Sequence, residues 1–363
     1  MTSKKEYPRS KKRRRALTVG IMAGIIVAAS VFGVFFSFWN PSKQTVVTIN
    51  GISLPVQLYE EEMEGIVPKV YSYFESEYQV QNLSTEEFWE NSYNGEIPVD
   101  YARKLVLEKW VRYIVVLQEA QKNDLIQDVT YDGLIELWQK ENDKRKEDLE
   151  AGKIIYGPYQ YSWDGFLDVQ ITNYSDELVK KYAETEFLLS DEQLKKIYDE
   201  EKNAKYRYDD DVSVEILKCD YNQEDVTGES KEKASQKIQQ IHEAACQSGD
   251  LKAISKKMGV PVETQDFLLA NAELDNESYG VLRQTALQLS PQETSEILQD
   301  PSQGFYAVMQ CLERTENGYI PFDEKKEEIQ LEYSQKNLED RINSLIAEAD
   351  VVINDAVYYS IYP

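Results

Sequence analysis

The rhythm of apolar and polar positions changes repeatedly along this chain. From Ala16 to Trp39 the residues are uncharged and mostly apolar (ALTVGIMAGIIVAASVFGVFFSFW), directly behind the basic cluster Lys11, Lys12, Arg13, Arg14 and Arg15. As a helix, these 24 residues would span roughly 36 Å at about 1.5 Å per residue, enough for a hydrocarbon layer of ~30 Å. TVVTINGISLP then shifts to short alternation around Asn50-Gly51, the dipeptide that best supplies the positive φ angles of a tight hairpin, so two strands are expected. From Gln57 to about Lys205 the period becomes helical. Between Tyr101 and Gln121 it places Leu105, Val106, Trp110, Ile114, Leu117 and Ala120 on one face, which reads as core. Ser190, Asp191, Glu192 and Gln193 form a capping-box pattern, and Leu194, Ile197 and Tyr198 give the helix it opens an apolar side.

Alternation returns at VSVEILKCDY, Val212 to Tyr221, where β-branched residues predict a strand. A helix follows with Ala234, Ile238, Ile241 and Ala245 on one face, then a shorter one with Leu251, Ile254 and Met258. DFLLAN, a helix-like YGVLRQTALQL and the strand FYAVMQCLE complete what reads as a small α+β domain. Asp323 to Ala349 is a long charged helix with Ile329, Tyr333, Leu338, Ile342 and Ile346 as its apolar positions, followed by the strand-like VVIN. The expected class is α+β, divided into a basic segment (1–15), a transmembrane anchor (16–39), a mainly helical domain (40–206), an α+β domain (207–321) and a C-terminal helix and strand (322–363).

Charge fixes the orientation of the anchor. Eight basic residues precede Ala16 with only Glu6 against them, which places the N-terminus in the cytoplasm and residues 40–363 outside the membrane. A cleaved signal peptide is the rival reading, but its apolar core is normally shorter. Here Phe35, Phe36, Phe38 and Trp39 carry the run past the small residues Ala28, Ala29, Ser30 and Gly33, so an uncleaved single-pass anchor in the cell membrane is expected. No cysteine lies near the span, which excludes a lipoprotein-type anchor.

The whole chain carries a net charge of −25, and beyond Arg15 there are 32 basic against 64 acidic residues. Such a polyanion serves solubility. It also repels nucleic acid and anionic lipid while tolerating basic or unfolded polypeptides. Cys219, Cys246 and Cys311 are odd in number and form no CxxC. They are expected as small buried apolar residues rather than as disulfides. His242, the one histidine, falls on a Lys-, Glu- and Gln-rich helix and is expected at the surface. That scarcity removes most zinc sites and every Ser-His or Cys-His arrangement that does not use His242 as its base; no metal and no cofactor are expected. Asp209, Asp210 and Asp211 lack the alternating spacing and turn glycine of a calcium loop. The aromatic stretch from Tyr156 to Trp163 contains Gly157-Pro158 and reads as a loop. Its tyrosines either offer contact surface to a peptide or pack on their own domain.

The order of these pieces resembles the extracytoplasmic folding factors of the SurA and PrsA type, which combine a SurA N-terminal-like helical chaperone domain with a parvulin-like peptidyl-prolyl isomerase domain. The resemblance covers nearly all of residues 44–355. It is carried by VVTINGISLPVQLYEEEM, LVLEKWVRYIVVLQEAQKNDL and FLLSDEQLKKIYDEEKNAKY in the helical part, and by VSVEILKCDY, KASQKIQQIHEAACQSGDLKAISKKMG, TALQLSPQETSEIL and GFYAVMQCLERTENGYIPFDEKKEEI in the second. It implies that 207–321 is an inserted parvulin-like domain and that ADVVIND completes the sheet begun by VVTING. It also makes Ser290-Pro291-Gln292-Glu293 a turn before a strand, although capping rules make the same residues a helix N-terminus.

Parvulin-type isomerases hold a proline in an apolar pocket beside a polar cluster that includes two histidines. The resemblance puts Glu215 and Tyr306 at those two histidine positions, and the family's glycine-rich loop is replaced by GVPVETQDFLLAN after Met258. Leu282, Leu287 and Phe305 fall at or beside pocket positions, as substrate-binding residues or simply as core. Glu215 itself reads as an outward-pointing residue of a half-exposed strand. The expected function is a membrane-anchored folding factor that binds unfolded or secreted polypeptides, with weak or lost isomerase activity. An active prolyl isomerase and a non-catalytic adaptor of a cell-envelope complex stand as alternatives. The resemblance is compatible with a homodimer, and no nucleic-acid partner is expected.

Overall fold

The computed structural model describes residues 44–363. The anchor read at Ala16–Trp39 lies outside the described residues, and no described helix is long and apolar enough to cross a membrane. The protein is a mixed α+β chain with two small antiparallel sheets. It divides into two compact units: residues up to Leu188 together with Leu331–Pro363, and residues 189–330 between them.

In the first unit, β1 (Thr45–Ile49) and β2 (Ile52–Pro55) form a hairpin. Its turn residues Asn50 and Gly51 take φ of 48° and 83°, the left-handed pair that an Asn-Gly dipeptide tolerates best. The strand β7 (Val351–Ile353) adds to the other edge of β1, so chain segments from opposite ends share one sheet in the order β2-β1-β7. Around it stand α1 (Val56–Tyr78), the short α2 (Glu86–Glu90), α3 (Pro98–Lys122), α4 (Tyr131–Glu150) and α5 (Trp163–Ala183). Of the expected stripe of α3, Val106, Trp110, Ile114, Leu117 and Ala120 are buried in the core with Tyr59, Phe74, Leu167 and Leu178, and Leu105 is half-buried at its edge. Leu338 and Ile342 of α11 (Phe322–Ala347) and Tyr358 of α12 (Asp355–Tyr358) enter the same core.

The second unit opens with α6 (Asp191–Lys205), whose Ser190 and Gln193 make the reciprocal capping box. Leu194, Tyr198 and Tyr206 pack with Ile329 at the start of α11, which ties α6 to this unit. Its sheet runs β4-β3-β6-β5, all antiparallel, with β3 (Asp211–Asp220) and β6 (Phe305–Thr315) central and β4 (Val262–Phe267) and β5 (Leu298–Asp300) at the edges. One face carries α7 (Glu229–Ser248) and α8 (Leu251–Met258) over Leu217, Cys219 and Val308. The other carries α10 (Val281–Ala286), which follows α9 (Ala272–Tyr279) across a break at Gly280, over Val214, Ile216 and Met309.

Several readings are settled by this arrangement. Ser290–Glu293 is a turn rather than a helix start: the Ser290 N–H donates to Glu293 Oε2 at 2.7 Å, after which the chain runs beside β6, with Gln292 and Ser295 donating to the Cys311 and Met309 carbonyls. Pairing with β6 outweighs a local cap. The expectation that all three cysteines are buried fails at Cys246, which is exposed on α7 with Sγ 3.6 Å from His242 Nε2. Cys219 and Cys311 are buried, and burial raises both thiols above their ordinary range. Each aspartate of the 209–211 run is taken by a partner of the chain: Asp209 by Arg283, Asp210 by Arg207 and Arg314, and Asp211 by the Leu269 N–H and Asn317.

Candidate functional site

The sheet of the second unit distributes the residues singled out from the sequence over its two faces. Side chains alternate along a strand, and directly paired residues share a face. Glu215 pairs with Gln310, and Cys219 with Tyr306, so Glu215 and Tyr306 share the face under α7 and α8 but lie four register positions apart, on the order of 13 Å along the strands. The structure therefore does not bring the two histidine-equivalent positions together as a dyad. Tyr306 packs half-buried against Tyr221, ring centroids 5.5 Å apart.

Glu215 departs from its expected outward orientation. It is 3% exposed, and its Oε1 lies 2.5 Å from Lys252 Nζ at the start of α8. A buried carboxylate needs such a partner, since removing one member of a buried pair leaves an uncompensated charge. Beside it, Gln310 is also buried and donates to the Gln292 carbonyl at 3.2 Å. Gln310 is thus engaged within the chain, while Glu215 is held by its ion pair with Lys252, which leaves Oε1 without a well-aligned hydrogen bond.

Leu282, Leu287 and Phe305 gather on the opposite face. Leu282 and Phe305 are 1% and 3% exposed, packed with Val212, Ile216, Phe267 and Met309, while Leu287 is half-buried. Leu287 lines a cavity of about 200 Å³ whose other walls are Arg207, Tyr208, Asp209, Asp210 and Arg314. Arg314 is held there by three hydrogen bonds, to Asp210 at 2.6 Å and to the Leu287 and Leu289 carbonyls. Such charged walls are ill suited to a proline ring, whose binding rests on apolar contact. A larger groove of about 640 Å³ runs where the end of β3 faces the start of α7, lined by Lys218, Lys233 and Lys237 against Asp220, Asp225 and Glu229. Among the described residues no cluster of His, Cys, Asp or Glu fits a metal ion.

Sequence reading missed two buried carboxylates in the first unit. Glu119 of α3, 1% exposed, receives Arg341 of α11 at 2.8 Å, Lys122 at 3.2 Å and the Tyr182 hydroxyl of α5. Although burial opposes ionisation, these donors hold its carboxyl below the ordinary range. Glu62 of α1 is 5% exposed and pairs with Lys109 of α3 at 2.7 Å, while its second oxygen has no hydrogen-bond partner. Burial, with Asp164 nearby, pushes this carboxyl up to about 7 despite Lys109. No sequence signal marks either group, because the partners come from separate helices.

No protein-family model matches the chain, and no curated protein matches it. Among solved structures, the chain is similar to the foldase protein PrsA from Streptococcus pneumoniae, at 17% identity over 72% of this chain and 90% of that one, with a TM-score of 0.23. It is also similar to a SurA-like chaperone from Campylobacter jejuni (12% identity, 85% and 98% of the two chains, TM-score 0.28) and to the peptidylprolyl isomerase PrsA from Bacillus cereus (13%, 87% and 96%, TM-score 0.26). This likeness assigns no residue a role.

Proposed function

We propose that this chain is a single-pass, membrane-anchored extracytoplasmic folding factor that holds unfolded polypeptides, and that its second unit has weak or no prolyl isomerase activity. The observation that carries this reading is the distribution of apolar side chains. Large ones stand exposed on each unit, Ile154, Tyr156 and Tyr159 on the first and Val226, Leu268 and Leu274 on the second, in a chain whose charge keeps it soluble. Meanwhile the residues a proline pocket would need are spent on packing or face charged walls. The motif order of the sequence and the shared sheet of β1 and β7 support the same reading.

Holding requires only reversible contact with exposed apolar segments. The test is light scattering of a chemically denatured, aggregation-prone enzyme diluted into buffer with the full chain in lipid nanodiscs, against empty nanodiscs. Suppression of scattering at near-stoichiometric amounts is expected; unchanged aggregation would reject the holding role. Protease accessibility in intact cells tests the topology, with residues 40–363 expected to be digested from outside.

A further inference from the structure

The sequence allows the loop between α4 and α5 to be either a contact surface or part of its own domain's packing, and the structure gives it features of both. Tyr161 is half-buried, but Ile154, Tyr156 and Tyr159 are 83%, 84% and 70% exposed. The backbone beneath them is tightly bracketed. Arg145 of α4 donates to the Tyr156 and Pro158 carbonyls at 3.2 and 2.7 Å and lies over the Tyr161 ring at 4.2 Å. Asn142 exchanges two hydrogen bonds with the Tyr161 backbone, and Trp138 Nε1 donates to its carbonyl at 2.9 Å. Gly157 supplies a positive φ of 81° at the bend. The exposed side chains therefore stand on a fixed support, which lowers the ordering cost of using them as a contact surface.

Resting on the folding-factor reading, we propose that this loop is a client-contact site and that its occupant is an uncharged, apolar segment of an unfolded polypeptide. Charge selects that occupant. In a chain of net −25, residues 140–153 hold five acidic and five basic residues, and 154–160 hold none, so the patch is locally neutral and offers no preference for a basic segment. The backbone N–H groups of Ile154, Ile155 and Tyr156 make no hydrogen bond within the chain among the described residues. They are available to the carbonyls of a bound peptide, a pairing that is indifferent to the client's side-chain charge.

The experiment measures fluorescence anisotropy of a dansyl-labelled, uncharged peptide of alternating Phe and Ser, with the full chain in phosphatidylcholine nanodiscs and empty nanodiscs as blank. The triple variant Ile154→Ser, Tyr156→Ser, Tyr159→Ser should weaken binding at least about tenfold while leaving the unfolding midpoint unchanged. Tyr156→Phe with Tyr159→Phe should bind within about twofold of the native chain, and about 0.5 M salt should leave the affinity unchanged. Native-like binding by the triple variant would overturn the site but leave the folding-factor reading standing. Absence of both peptide binding and aggregation suppression in the native chain would end both. Tighter binding of a lysine-bearing version of the peptide, with the gain lost in salt, would replace the uncharged occupant with a charged one. A native dimer that the triple variant loses in sedimentation would make the occupant a second copy.

Discussion

The loop between α4 and α5 and the sheet of the second unit use the same kinds of residue in opposite ways. In the loop, Ile154, Tyr156 and Tyr159 point outward while Trp138, Asn142 and Arg145 secure the backbone. At the sheet, Phe305 of β6 and Leu282 of the overlying α10 point inward and are nearly absent from the surface. A small α+β unit must bury most of its large apolar side chains to fold at all. The helical unit has a large separate core around Trp110 and Tyr59, so its loop can leave Ile154, Tyr156 and Tyr159 outside without losing stability, as the second unit leaves Val226 and Leu274 outside its own core. Resemblance in residue type alone therefore does not locate a binding site. The sign of the exposure does.

The largest test of this contrast is stability. Phe305→Ala is expected to destabilise the second unit by about 3–5 kcal/mol, as a core aromatic does, whereas Tyr156→Ala should stay within about 0.5 kcal/mol of the native chain. Urea unfolding followed by circular dichroism separates the two. Equal effects would erase the distinction between core and contact surface.

Charge sharpens the comparison within the helical unit. Glu119→Ala removes the acceptor shared by Arg341, Lys122 and Tyr182; because Arg341 keeps Glu186 and Lys122 is exposed, the expected cost is about 1–3 kcal/mol, that of losing hydrogen bonds to a charged group. The depressed carboxyl of Glu119 gives stability that is present above the ordinary carboxylate range near 4.3 and is lost as pH falls through the folded value. Glu62 behaves oppositely. Its folded value of about 7 gives stability that is full below the ordinary range and lost as pH rises through about 7. Glu62→Gln should therefore flatten the decline between about pH 4.5 and 7, an effect on the order of 1–3 kcal/mol in unfolding free energy measured across that range. A decline equally steep in the variant would show that Glu62 is ionised throughout.

A smaller effect is expected at the first hairpin. Gly51 has φ of 83°, so Gly51→Ala should cost about 1–2 kcal/mol through backbone strain, read as a lowered midpoint of thermal unfolding.

Local signals in the amino-acid sequence make much of this fold legible. Asn50-Gly51 announces the hairpin, Ser190 and Gln193 the start of α6, and the spacing from Val106 to Ala120 the core face of α3. What escapes depends on distant partners. Glu215 reads as an exposed strand residue until Lys252 of α8 is seen beside it. Ser290 reads as a cap until the segment is found alongside β6. Glu62 and Glu119 are ordinary acidic residues of amphipathic helices until other helices close over them. The candidate site is legible only as positions: Leu282, Leu287 and Phe305 do share a face, but their depth in the core, and the charged wall beside Leu287, follow from the packing of α10 and the path of Arg314.

The central claim, that the second unit's apolar residues build a core rather than a proline pocket, is tested most directly by exchange NMR of cis–trans interconversion in a panel of X-proline peptides, with the full chain in nanodiscs at substoichiometric concentration. Exchange no faster than with empty nanodiscs is the expected result. Acceleration that falls on substituting the half-buried Leu287, with folding preserved, would contradict the claim and make the second unit an enzyme.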